Sequence, residues 1–251
     1  MRIEKIFEAL GPMIAMAASG NGPKFKNGKF SMEGQEGAPL ADLDLSGDMP
    51  DTIKLCGPDV IRITAGEEFT IAVEGEDHAK ERMRFHLDDG SLSVMRDHEA
   101  ERDGPSATVT ITMPAPRRLK LAGSGSIHAD AMAEEARVAI MGSGTISTPA
   151  LAVKSLRVKL AGSGKYKSGG TADSLDLSIA GSGKASMAGL KSDFVDIAIT
   201  GSGEAVFASD GEVKAKIMGS GDVTVRGNAR CKVKSFGSGT LTCEPTETVD
   251  S

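Results

Sequence analysis

Tryptophan is missing altogether, tyrosine occurs once, and aromatic residues make up 4% of the 251-residue chain. Large rings carry much of the volume of an ordinary core, so their scarcity points to a thin interior filled by small aliphatic side chains. No apolar run approaches the about 20 residues that a membrane-spanning helix requires. Net charge is -6 and the isoelectric point about 5.3. That balance argues against nucleic acid as a main partner, because phosphate binding rests on clustered Lys and Arg. The metal-ligand spacings HxH and HExxH do not occur, and neither does the G-x-S-x-G elbow of serine hydrolases. There are three cysteines, and none follows the N-terminal segment as a lipobox would require.

What the chain has in abundance is glycine, 31 in all, much of it in one recurring triplet. Gly-Ser-Gly begins at Gly123, Gly142, Gly162, Gly181, Gly201, Gly219 and Gly237, a nearly constant step that shortens slightly toward the end. Self-similarity at a fixed period of roughly 20 residues marks a solenoid in which each unit stacks on the last. Helical repeats are longer, and the Leu/Asn consensus of leucine-rich repeats is absent. A β-helix with one period per coil remains.

Parity within the repeats agrees. Leu119, Leu121, Ile127 and Ala129 fall on one side of the first repeat, and Lys120, Ala122, Ser126 and His128 on the other. This is the alternation of a strand with one buried face. Extended through the triplet, it sets both glycines inward and the serine outward. The second glycines are Gly125, Gly144, Gly164, Gly183, Gly203, Gly221 and Gly239. Glycine suits the crowded bend where a coil closes, having no Cβ and tolerating positive φ. Stacking then lines up two core columns: Leu121, Ile140, Leu160, Ile179, Ile199 and Ile217, then Ile127, Ile146, Tyr166, Ala185, Ala205, Val223 and Leu241.

The tandem set, preceded by "TVTITMPAPRRLKLAGSG", resembles the bacterial DUF2807 family, described as a "putative autotransporter adhesin" with a head GIN domain. The runs "LSGDMPDTIKLCGPDVIRITAGEEFTIAVEGED" and "LDDGSLSVMRD" are similar to that family's N-terminal part, and the likeness spans roughly residues 38–244. It implies an all-β fold, a right-handed parallel β-helix (solenoid) with about 19 residues per coil. It also implies export and association with the cell envelope. It supplies no catalytic residues. The implied role is non-catalytic: a structural or adhesin-like surface for glycan, envelope polymer or protein, with no cofactor or metal.

Several groups are candidates for more than scaffolding. The exposed column Ser124, Ser143, Ser163, Ser182, Ser202, Ser220 and Ser238 reads as soluble turn residues, or as a repetitive recognition surface. Lys120, Lys159, Lys216 and Lys234 share one outward site, read as a solvated face that blocks sideways strand pairing, or as a patch for anionic glycan. Glu204 and Asp222 stack in adjacent coils and would be acid and base if the chain acted on polysaccharide. His78, His86 and His98, with Asp77, Asp88, Asp89, Asp97, Glu99 and Asp103, are read as a solvated acidic loop rather than a metal site. Cys231 and Cys243 fall on the inward parity of the last coil, where they could be bridged or simply buried. A bridge would imply an extracytoplasmic compartment, periplasm or cell surface. Cys56 is expected to be buried.

Along the chain, residues 1–20 outline either a short signal peptide cut after Ala17 or an amphipathic N-terminal helix, and residues 21–37 a linker. Residues 38–118 read as the irregular start of the β-helix, with Gly47, Gly57, Gly66 and Gly75 at half the later period. Residues 119–244 are the regular repeats and 245–251 a polar tail. A self-assembling scaffold that uses the coil ends is a further alternative.

Overall fold

The structure is a computed structural model that describes residues 24–26, 29–31, 37–97 and 104–245. The chain divides into two units, Met1–Gly37 and Ala38–Ser251. Within the first, in the stretch read as a linker, β1 (Lys24–Lys26) pairs antiparallel with β2 (Lys29–Ser31).

The second unit is a parallel β-solenoid of about seven turns, about 19 residues apart. Its early strands are β3 (Thr52–Cys56), β4 (Val60–Ala65) and β5 (Thr70–Glu74), then helix α1 (Asp77–Glu81), then β6 (Met83–Asp88), β7 (Ser91–Arg96) and β8 (Thr108–Met113). The regular coils use β9 (Arg118–Gly123), β10 (Ser126–Ala129), β11 (Glu135–Gly142), β12 (Thr145–Gly162), β13 (Lys165–Gly181) and β14 (Lys184–Gly201). They finish with β15 (Glu204–Ala208), β16 (Glu212–Gly219), β17 (Asp222–Arg226), β18 (Arg230–Gly237) and β19 (Thr240–Glu244).

Each coil contributes one strand before its corner, which is Gly-Ser-Gly from Gly123 onward, and one after it, so two sheets face each other across the core. The first stacks β7, β3, β9, β11, the second halves of β12, β13 and β14, then β16 and β18. The second stacks β8, β4, β10, the first halves of β12 to β14, then β15, β17 and β19. In-register stacking sets like residues on like. Every member of the Leu121 to Ile217 column is at most 2% exposed, and so is every member of the Ile127 column through Val223. The lone tyrosine, Tyr166, lies fully buried among them, with its hydroxyl 2.7 Å from Thr148 Oγ1.

Two features differ from the expectation. The leading glycines do not point inward: Gly123, Gly142, Gly162 and Gly181 are exposed at the corner, whereas Gly125 through Gly221 in the second position are buried. The leading glycine takes φ between 109° and 129°, and this left-handed step turns the corner and interrupts the alternation. At Gly181 (φ 114°) a Cβ would also lie 2.7 Å from the carbonyl oxygen of Gly162 in the preceding coil. The second glycines meet the core instead, as at Gly203, where a Cβ would lie 2.5 Å from Ile179 Cγ2.

The other difference is coil order. The β3–β4 coil lies between β7–β8 on one side and β9–β10 on the other, so the chain winds one coil, places the next outside it, then crosses back. Gly57, Pro58 and Asp59 occupy the corner that Gly-Ser-Gly occupies elsewhere: Gly57 has φ 143° and its carbonyl accepts from the Gly125 amide at 2.8 Å. Among Gly47, Gly57, Gly66 and Gly75, only Gly57 serves such a corner, and the half-period spacing therefore does not reflect coils. Asp59 is buried and its carboxylate binds Arg96 twice, through Nε at 2.8 Å and Nη2 at 2.7 Å, and the Ala107 amide at 2.8 Å. These bonds tie the outer coil to the one inside it. Beyond it, β6 and β5 pair antiparallel with β7 and β8 and finish this end.

Two measurements check this architecture. Gly181→Val is expected to cost about 3 kcal/mol or more through forced φ and backbone clash, while Ser182→Ala stays within about 0.5 kcal/mol; equal denaturation midpoints would refute the corner assignment. Asp59→Ala leaves Arg96 buried without its partner and is expected to cost about 3–5 kcal/mol in the same assay.

Candidate functional site

The outward side of the first sheet carries two ladders whose registers follow from strand pairing. One runs Lys54, Lys120, Ala139, Lys159, Ser178, Ala198, Lys216, Lys234. Beside it runs Arg118, Arg137, Arg157, Asp176, Asp196, Lys214, Lys232. Rungs lie about 4.8 Å apart, as neighbouring strands do. The early coils thus gather Lys54, Arg118, Lys120, Arg137, Arg157 and Lys159 on one flat surface. Asp176 meets Arg157 at 3.3 Å and Asp51 lies 3.9 Å from Arg118, bounding the patch. Half-buried Lys120 has its pKa lowered, first by burial and then by the charges of Lys54 and Arg118. A Lys whose ammonium form is disfavoured in this way gains from an incoming anion.

On the second sheet the ladder reads Ser126, Thr145, Lys165, Lys184, Glu204, Asp222, Thr240. Glu204 and Asp222 are direct neighbours, as their repeat positions require. Both are exposed; Lys184 forms an ion pair with Glu204, and the Thr240 hydroxyl donates to Asp222 at 2.6 Å.

A hollow of about 480 Å³ lies elsewhere, lined by Asp193, Phe194, Asp210, Glu212, Arg230 and Lys232 with Gly211. Its origin is the shortening of the period beyond Gly201, since Gly219 follows Gly201 more closely than Gly201 follows Gly181. There β14 and β15 lose register between Met187 and Lys191, and the wider coil overhangs the narrower. Lys191 pairs with Asp210 at 2.6 Å and Lys232 with Glu212 at 3.0 Å. No motif marks this step; the change of interval is its only signal in the sequence.

All seven corner serines are exposed. Their contribution to the stack comes through backbone: the Ser182 amide donates to the Gly162 carbonyl at 3.0 Å, and Ser143, Ser163, Ser202 and Ser220 donate likewise. The acidic segment is dispersed. His78 lies on α1 and His86 on β6, Asp77 pairs with Lys80 at 2.7 Å and Asp97 with Arg84 at 2.8 Å, and the Lys80 ammonium holds the Asp77 carboxyl below the usual range. Among the described residues no three His, Cys, Asp or Glu gather as a metal set; His98, Glu99 and Asp103 lie outside them, as do residues 1–20 and most of the C-terminal tail. Cys231 and Cys243 form a disulfide across the last coil. Burial pushes the Cys56 thiol up to about 11, which keeps it protonated and unreactive at neutral pH.

Residues 49–229 match the family described as "Putative auto-transporter adhesin, head GIN domain", DUF2807. The chain belongs to this family. No curated protein matches it. Among solved structures, a "putative adhesin" from Bacteroides fragilis is similar at 20% identity over 78% of this chain and 93% of that one, with a TM-score of 0.71. A "putative adhesin" from Parabacteroides merdae (20% identity, 78% and 92% covered, TM-score 0.64) and a "Putative lipid binding protein" from Parabacteroides distasonis (17% identity, 78% and 92% covered, TM-score 0.63) share the fold. These similar structures thus carry one scaffold under more than one printed name, as expected when function resides in surface residues rather than in the fold. No helix among the described residues is long and apolar enough to cross a membrane.

The disulfide predicts a local effect. Closing a loop of this size is worth about 3 kcal/mol, and this one ties only β18 to β19. Reduction is expected to speed amide exchange in those two strands while β11 to β14 keep their protection, read by hydrogen exchange with mass spectrometry.

Proposed function

We propose that this DUF2807 chain is a non-catalytic, adhesin-like protein of the cell envelope, whose flat solenoid faces bind a repetitive partner, with anionic glycan or envelope polymer as the class that fits best. The observation carrying this reading is the basic ladder of the early coils. Six cations stand on one rigid sheet in two adjacent ladders, Arg118, Arg137 and Arg157 on successive rungs of one and Lys54, Lys120 and Lys159 on the other with Ala139 between the last two, at a rung spacing close to the length of one sugar residue. A polymer with regularly spaced carboxylates or sulfates gains several weak contacts at once, and multivalency multiplies them. The adhesin names of the family and of two structural neighbours support the role, and the Cys231–Cys243 bond supports an oxidising, extracytoplasmic location.

The competing reading, an enzyme acting on polysaccharide through Glu204 and Asp222, is tested in the same experiment. The full chain is incubated with acidic and neutral polysaccharides, with retention and chain cleavage both measured. Retention of acidic polymers, weakened at least tenfold by Lys120→Glu with Lys159→Glu and diminished by salt, is the expected result. Turnover abolished by Glu204→Gln would overturn the binding role, and salt-insensitive retention of neutral polymers would overturn the ladder as its site.

A further inference from the structure

The two ends of the solenoid are finished differently. At the N-terminal end β5 and β6 lie reversed on β8 and β7, and Ala38 bridges Phe85 through two backbone bonds of 2.9 and 2.8 Å. At the other end, no described strand pairs with the outer edges of β18 and β19. Side chains of inward parity there are left partly in solvent: Val233 is 49% exposed, and Cys231, Leu241 and Cys243 are half-buried. Their counterparts one coil back, Val213, Ala215, Val223 and Val225, are at most 2% exposed. An open strand edge above an apolar interior is a template for another strand.

The disulfide fixes how the two end strands face each other. Cys231 stands near the start of β18 and Cys243 near the end of β19, with Cα atoms 6.9 Å apart. The strands therefore run in opposite directions across the interior, and counting two residues inward from each cysteine sets Val233 opposite Leu241.

We propose that this end is a homodimer interface, in which two copies meet tail to tail about a twofold axis parallel to the end strands. That rotation preserves position along the strands and exchanges the two faces, so β18 of each copy lies antiparallel to β19 of the other, in the register the disulfide sets. Val233 of one copy then meets Leu241 of its partner on the inside. On the outside Arg230 meets Glu244, Lys232 meets Thr242 and Lys234 meets Thr240. Opposite charges directly across a strand pair stabilise it and like charges oppose it. Pairing β18 with β18 instead would bring the cations of Arg230, Lys232 and Lys234 together. Charge complementarity thus selects a second copy in this orientation, and the contact is isologous, so it closes at two. The result continues both sheets through the interface and buries both open edges. It is independent of what the faces bind.

Light scattering on the full, oxidised chain tests this. The expected mass is twice 26.0 kDa. Val233→Lys sets a charge where the apolar pair forms and is expected to give the 26.0 kDa species with an unchanged circular dichroism spectrum, since about half of Val233 is already in solvent. Arg230→Glu alone is expected to weaken association roughly tenfold, and adding Glu244→Arg to restore it. A wild-type monomer up to the solubility limit would overturn the proposal. So would a dimer indifferent to Val233→Lys, or a charge swap that fails to restore association; should Val233→Lys disturb folding, the wild-type mass and the charge swap decide.

Discussion

Most of this fold depends on one backbone contact, repeated from the Gly57 coil through to the last: the carbonyl of a corner glycine accepting an amide from the triplet of the next coil. The contact exists only because the leading glycine adopts a positive φ and presents nothing toward its neighbour. With corners locked together, the strands before and after them have no freedom of register, and each side chain stacks on its equivalent. The thin aliphatic core and the surface ladders are both consequences. A solenoid built this way gains stability coil by coil from nearest neighbours, and its sides remain flat and periodic.

That constraint explains why the regular part was legible and the early part was not. Two residues before and two after each triplet, the aliphatic columns could be read directly from spacing, because register is fixed by the same glycines that mark the period. The parity that placed Cys231 and Cys243 on one interior had the same source. The leading glycine broke the parity argument, since alternation assumes extended backbone and a positive φ does not obey it. Leu55, Gly57, Pro58, Asp59 and Ile61 repeat the corner and its two flanking core positions, yet without the second glycine the match was hidden. Gly57 and Gly123 occupy adjacent coils although more than three ordinary periods of sequence separate them. No local pattern announces that the intervening strands stack on the outside.

Asp59 shows what replaces glycine where the repeat is broken. The second-glycine site lies against the core, and a carboxylate there would be costly without partners. Arg96 and the Ala107 amide supply them, and both belong to the outer coil. A buried, fully bonded ion pair is weak evidence for net stability but good evidence for a specified arrangement. Here it locks the outer coil onto the β3–β4 coil on which it stacks.

Surface chemistry follows the same geometry but is not determined by it. Because strand register is shared along the stack, a substitution at one outward site changes a single rung and leaves the core untouched. Cations at Arg118, Arg137 and Arg157 give way to carboxylates at Asp176 and Asp196 within one ladder, on a single uninterrupted sheet. The scaffold therefore divides the chain's positions in two: glycines and aliphatics hold the coil, while the outward rungs set the charge pattern of its faces. Relatives of the same shape at 17–20% identity carry different names, which is what such a division of labour allows. For this chain it directs attention away from the serines, whose stacking role belongs to the backbone, and toward the lysine and arginine rungs of the early coils.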